Sequence, residues 1–368
     1  MTVLAQFVEI QDPRIERTKH YELASLFFLT IAAAVADCED FTEIADFAED
    51  RLDWFQSHGH FSDGRTPSHD VIGKLFHRLD PGEFQSCFVR WTADVAEQTE
   101  GRLVGIDGKT LRGSHDLHGG KKATHVINAW CGANQLVMAQ MKVDGKSNEI
   151  TAIPELLALL DLRGAIVSID AMGCQTHIAQ EIIKHKGNYL LGVKGNQGNL
   201  LEEVELLFVH TKPSSTHQQL DKGHGRIEER QCDVIGNPAL LKPFSAWKDL
   251  RSVVRVRSTR QPSSGGEMTE EIRFYISSAK ADANRFGTWI RQHWGVENNV
   301  HWMLDVIFDE DGSRIRKGHA DQNMAMVRRT ALNLCRMHHD PKKSLSRKRM
   351  TAARRNDYLD LLLGIKRR

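Results

Sequence analysis

Leu103-Val-Gly-Ile-Asp-Gly-Lys-Thr-Leu111 is an apolar run with Gly105 and Gly108 on either side of a single acid, Asp107. A short apolar stretch of this length, rich in β-branched residues, predicts a buried strand. Outward from it, Thr124–Cys131 and Leu136–Val143 are two further apolar segments, separated by turns rich in Gly, His and Asn. Their spacing predicts a three-stranded antiparallel meander. A helical pattern follows at Glu149–Leu160, with Pro154 expected in its first turn. Then come a strand at Ala165–Ile169 that runs into Asp170, a helix at Thr176–Lys186 and a strand at Tyr189–Val193.

Three meander strands followed by helix, strand, helix, strand is the order of an α/β, RNase H-like mixed sheet with flanking helices. In that order Asp107 lies on the first strand and Asp170 at the end of the fourth, which are neighbours. A third carboxylate, Glu297, sits in Arg291-Gln-His-Trp-Gly-Val-Glu-Asn-Asn-Val-His-Trp302, within a helix expected over 282–307. Hard divalent cations take oxygen ligands, and two ions sharing an aspartate can activate the attacking and leaving oxygens of a phosphoryl transfer. Each acid also has an ordinary reading: Asp107 as a turn residue, Asp170 as an N-cap, Glu297 as a surface glutamate. Asp305, Asp309, Glu310 and Asp311 compete for the third position.

The chain has 368 residues and 40% hydrophobic content, enough for two or three domains with real cores. A formal net charge of +1 carries no nucleic-acid signal, but the charge is unevenly spread. Residues 1–100 hold 8 basic and 19 acidic side chains, which argues against an isolated DNA reader there. The last 28 residues hold 10 basic and 2 acidic, a tail suited to phosphates. Six scattered cysteines without a Cys-x-x-Cys pair suit a reducing compartment and supply neither a disulfide framework nor a zinc knuckle. The apolar run Leu23–Ala36 is too short to span a bilayer and reads as a buried helix. With no signal-peptide pattern, the expectation is a soluble cytoplasmic protein, associated with the nucleoid, with no membrane partner.

The organisation expected is an all-helical N-terminal region over 1–100, a catalytic domain over 101–340 and a basic C-terminal tail over 341–368. The helical region should hold helices at 23–36, 42–55 and 66–79, the last with Ser68 as N-cap, and a fourth after Pro81. A β-rich insertion over about 196–280 has strands at Gly223–Ile235, Asp249–Arg257 and Met268–Ser277, the last two joined through Gln261–Gly266. Further helix is expected over 319–338.

Five motifs then carry a resemblance: Val-Gly-Ile-Asp107-Gly-Lys-Thr-Leu-Arg-Gly-Ser, Ile-Asp170-Ala-Met-Gly-Cys-Gln, Leu-Gly-Val-Lys194-Gly-Asn-Gln, His224-Gly-Arg-Ile-Glu and the segment from Arg291 to Asp311. In this order, across essentially the whole chain, they resemble the H-repeat-associated insertion-sequence transposases, a branch of the bacterial DDE transposases. The resemblance implies Asp107, Asp170 and Glu297 as the catalytic and metal-binding triad, and motif match selects Glu297 over its four rivals. It implies two Mg²⁺ ions per active site, replaceable by Mn²⁺, and double-stranded DNA as partner: terminal inverted repeats and target. It also implies a homodimer in the DNA complex. A DNA-binding descendant without catalysis, and a metal-dependent nuclease without strand transfer, are the alternatives. The better-studied relatives with such an insertion carry Tyr, Arg and Lys around the glutamate where this chain has Ile290, His293 and Leu304. Arg291 is the candidate to take over a phosphate contact.

Residues expected at the DNA are Lys109 and Arg112 after the first aspartate, and Lys194, Asn196 and Gln197 at the carboxyl edge of the fifth strand, where α/β sheets bind ligands. Arg226, Arg255 and Arg257 are expected there from the insertion, Arg291, His293 and Asn298 from the glutamate helix, and Arg314 and Arg316 beyond it. Trp294 and Trp302 read as core, and Trp247 as the candidate base-stacking residue in the insertion.

Overall fold

The computed structural model describes all residues except 1–6, 8, 97–101, 117–119, 144–148, 224, 238, 281 and 366–368. The motif residue His224 and the final triplet of residues 366–368 thus lie outside the described residues. Five helices lead the chain: α1 (Leu23–Val35), α2 (Phe41–Asp50), α3 (Leu52–Ser57), α4 (His69–Arg78) and α5 (Pro81–Val95). Helix α1 is apolar on every side and is buried from Ser25 to Val35, which makes it the centre of the helical core rather than an amphipathic surface helix. Asp40 and Asp80 cap α2 and α5 by accepting bonds from the first free backbone N–H groups, with Pro81 opening α5. Ser68 stands at the N-cap of α4 without a side-chain cap bond. Among the described residues no helix is long and apolar enough to cross a membrane.

Strands β1 (Leu103–Leu111), β2 (Thr124–Cys131) and β3 (Leu136–Val143) form the expected antiparallel meander. After α6 (Glu149–Ala158), β4 (Ile166–Ile169) pairs in parallel with β1. After α7 (Thr176–Lys184), β5 (Asn188–Val193) pairs in parallel with β4. The order β3-β2-β1-β4-β5 is that of the RNase H-like sheet.

The insertion holds two elements beyond the three strands expected, a leading helix and the strand Ser215–Gly223. It opens with a helix, α8 (Gly198–His210), and its strands continue the same sheet. Strand β9 (Thr269–Ser277) pairs antiparallel with β5, and β8 (Ser252–Pro262), β7 (Arg226–Ile235) and β6 (Ser215–Gly223) follow outward to make nine strands. Strand β6, Ser-Thr-His-Gln-Gln-Leu-Asp-Lys-Gly, has no apolar face, so its only strand signal is the partner it pairs with.

The helix expected over 282–307 is a continuous path with a widened turn. It comprises α9 (Ala283–His293), a π-helical turn over Glu297–His301 closed by the Trp302 N–H donating to the Glu297 carbonyl, and α10 (Trp302–Ile307). Helix α11 (Ala320–Met337) follows. The described part of the basic C-terminal segment, residues 341–365, packs on the helical core: α12 (Leu345–Arg354) and α13 (Asn356–Leu362) fold back so that Tyr358, Leu359 and Leu362 enter the core built around α1. Arg349, fully buried, donates to the Ala34 carbonyl and to Glu39 Oε1 at 2.6 Å, and its guanidinium lies 3.9 Å from the Phe308 ring centre. The two chain ends thus build one helical layer, tied to the meander by Asn333, which bonds the Val137 N–H and C=O.

Candidate active site

Alternation along β1 sorts the site. Val104 and Ile106 face the core beneath α6 and α7. Leu103 enters the opposite core with α9, so Gly105, Asp107 and Lys109 share the α9 side. Gly105 is what allows the helix to come close: a Cβ there would lie 2.8 Å from Val296 Cγ2. Gly108, on the other side, leaves room for the buried pair His125–Glu149 directly behind Asp107. The glycines flanking the acid are therefore packing requirements on two faces.

The π turn lays Glu297 and His301 over Asp107. His301 Nδ1 is 3.0 Å from Glu297 Oε2 and 3.7 Å from Asp107 Oδ2, and one ligand atom from each of the three residues falls within a 4.8 Å circle. Asp170 follows the register pair Ile106–Ile169 on the adjacent strand. Its Oδ1 accepts from the N–H of Met172 at 3.0 Å and of Gly173 at 3.4 Å, so it caps the short 3₁₀ turn after β4 while its field reaches Asp107. Burial pushes the Asp107 carboxyl up to about 7, and Asp170, Glu149 and Glu297 add to this against the Gly108 N–H. Burial holds the His301 imidazole below its ordinary value, opposed by Glu297. Closely set carboxylates, with an imidazole nitrogen aimed between two of them, form a donor set that fits a divalent cation.

The four rival acids are engaged elsewhere or turned out. Asp305 and Asp311 bind Lys109, Glu310 is buried against Arg329 at 2.6 Å, and Asp309 is exposed in a turn. Several residues expected at the DNA are engaged in contacts within the fold. Lys109 is 7% exposed, its ammonium held between Asp305 and Asp311. His293 is buried, bonded to Ser168 Oγ at 2.9 Å, and burial drives its imidazole down to about 4. Asn196 and Gln197 donate to the carbonyls of Ala171 and Cys174, at 2.7 and 2.8 Å, bracing the turn that Asp170 caps. Arg255 pairs with Asp233 and stacks on Phe208, and Arg257 pairs with Glu270.

The others line open surface. Arg226, Arg291 and Asn298, with Arg230 and Arg260, border a groove of about 920 Å³ between the insertion and α9, although Arg291 and Arg230 also touch Asp221 and Arg230 and Arg260 pair with Glu228. Glu297, Asn298 and Trp294 also border an adjoining cavity of about 260 Å³. Arg112, Arg314 and Arg316 gather around a second cleft beyond the end of β1, and Lys194 is exposed at the end of β5. The tryptophans reverse the expectation. Trp294 and Trp302 are 40% and 50% exposed, the first under Arg273, whereas Trp247 is buried. Sequence reasoning missed His301, although its position four residues after Glu297 puts it on the same helix face. Arg230 and Arg260 carry no local signal, because strand pairing alone aims them at the groove.

The chain is similar to known proteins along its length. A family model described as the transposase DDE domain matches residues 98–334, and one described as DDE_Tnp_1-associated matches residues 4–92. The chain is 39% identical over 364 residues to "H repeat-associated putative transposase YhhI" of Escherichia coli (strain K12), covering 96% of both chains. It is equally identical over 364 residues to "Putative protein YbfL" of the same strain, again with 96% of both covered. "Putative transposase YncI" of Escherichia coli O157:H7 is 39% identical over 363 residues, with 96% of this chain and 92% of that one covered. A solved piggyBac transposase synaptic complex with hairpin DNA aligns over 98% of this chain and 76% of that one, at 12% identity and a TM-score of 0.42, a likeness too distant to carry an argument.

Proposed function

Because the chain belongs to the DDE transposase family, we propose that it cuts and rejoins DNA at the terminal inverted repeats of an insertion sequence by two-metal phosphoryl transfer. The observation that carries this reading is the meeting of Asp107 with the Glu297–His301 turn beside Asp170. Asp107, Asp170 and Glu297 are the residues that would hold two Mg²⁺ ions, with Mn²⁺ as a substitute. Metal bound there would supply Lewis-acid stabilisation of the phosphate and lower the pKa of the attacking water or 3′-hydroxyl. Asp107 serves from the middle of strand β1, while Asn196 and Gln197 hold the turn that carries Asp170. Arg226, Arg230, Arg260 and Arg291 track the backbone in the insertion groove, and Arg112, Arg314 and Arg316 grip it beyond β1. Two ends must be cut in concert, so the DNA complex holds two copies of the chain.

The direct test uses DNA carrying the element's own ends. Asp107→Ala abolishes Mg²⁺- or Mn²⁺-dependent cleavage and leaves end binding measurable. Undiminished cleavage by that variant overturns the assignment. A joining assay with pre-cleaved ends then separates transposition from plain nuclease action: a nuclease cuts and does not join.

A further inference from the structure

His301 is unusual among the residues around Asp107. Its side chain is 6% exposed, yet its Nδ1 faces two carboxylates and its Nε2 has no hydrogen-bond partner among the described residues. Here the one nitrogen with neighbours points at the oxygens that would bind metal. The 3.0 Å separation from Glu297 Oε2 needs a proton between the two atoms, and a cation can take that proton's place. Residues 297 and 301 lie on one side of the π turn, over β1. Such widened turns recur at functional sites.

We propose that His301 Nδ1 is a metal ligand, so that the position shared by Asp107 and Glu297 is a mixed oxygen–nitrogen site favouring a first-row transition dication such as Mn²⁺ over Mg²⁺. This rests on the metal-dependent reading above and adds the chemistry of one position. The neutral ring gives its Nδ1 lone pair and keeps its single proton on Nε2. Mg²⁺ favours oxygen donors and holds its waters, so a fixed imidazole in its shell helps it little. First-row transition ions accept imidazole readily, with affinities rising along the series from Mn²⁺.

The experiment is Mn²⁺ binding to the full chain without DNA, followed by titration and by pulsed electron paramagnetic resonance, which detects a directly coordinated ¹⁴N. Wild type is expected to show imidazole ¹⁴N coupling on bound Mn²⁺. His301→Asn is expected to lose that coupling and to bind Mn²⁺ on the order of tenfold more weakly, with Mg²⁺ affinity changed less. Asp107→Asn is expected to lose Mn²⁺ at the site altogether. Wild-type Mn²⁺ that binds through Asp107 without ¹⁴N coupling overturns the His301 proposal and leaves the metal-dependent reading standing. Coupling that survives in His301→Asn overturns it equally. Mn²⁺ binding undiminished in Asp107→Asn overturns both.

Discussion

At the scale of single residues, the most consequential positions near the site are those that make room. Gly105 has no side chain because the helix bearing Glu297 lies too close for one, and the atom in the way is a single methyl of Val296. Gly105→Ala should therefore destabilise the fold by about 1–3 kcal/mol through overpacking. Adding Val296→Ala should recover part of that loss, leaving the double variant more stable than the two single effects summed. Urea denaturation of the four proteins in the cycle checks this. Strict additivity would mean that the contact does not limit the approach. His301 belongs to the same scale: four residues from the glutamate in sequence, it shares that residue's side of the turn and so reaches the carboxylates.

At the scale of elements, the site depends on turns held by neighbouring turns. Asp170 caps the 3₁₀ turn after β4, and the turn after β5 reaches across through Asn196 and Gln197 to the carbonyls of Ala171 and Cys174. Residues at a carboxyl edge of an α/β sheet invite a ligand-binding reading, and here two of the three polar side chains are spent on the scaffold. The distinction is measurable. Asn196→Ala should lower cleavage by about 10–100-fold, the range for a lost supporting bond, while the salt dependence of DNA binding stays as in wild type. A salt slope reduced by about one would instead identify a phosphate contact. The same contrast applies to Arg255 and Arg257, whose one-sided spacing on β8 suggested phosphate tracking, but whose guanidinium groups are paired with Asp233 and Glu270.

At the scale of the whole molecule, the two ends of the chain close one helical layer over the meander. The basic C-terminal segment looked like a phosphate-binding tail because ten of its side chains are cationic. Arg349, at the heart of it, is fully buried, bonded to the α1 carbonyl of Ala34 and to Glu39, and stacked on Phe308. Removing this fully buried side chain leaves a cavity and deprives the Ala34 carbonyl of its donor, so Arg349→Ala should cost about 3–5 kcal/mol. Arg347→Ala, on the exposed side of the same helix, should stay within about 0.5 kcal/mol of wild type. Thermal or chemical denaturation decides, and an unchanged midpoint for Arg349→Ala would return the segment to the status of a solvated tail.

What could be read along the chain was whatever depends on neighbours in sequence. The strand order from β1 to β5 and the adjacency of Asp107 and Asp170 came from apolar periodicity and turn chemistry, which act over a few residues. The family came from five ordered motifs. What depended on the folded chain was every contact across long sequence separation. Strand β6 has a polar face on both sides and becomes a strand only by pairing with β7. Lys109 could hold a phosphate or an acid by its composition, and only the packing of α10 against β1 brings Asp305 to it. Trp294 and Trp302 have the size and apolarity of core residues, yet the helix rotation set by Val296 and Val300 against the core leaves them at the surface. Side-chain chemistry is local, but whether a charge is free, paired or buried depends on which distant element covers it.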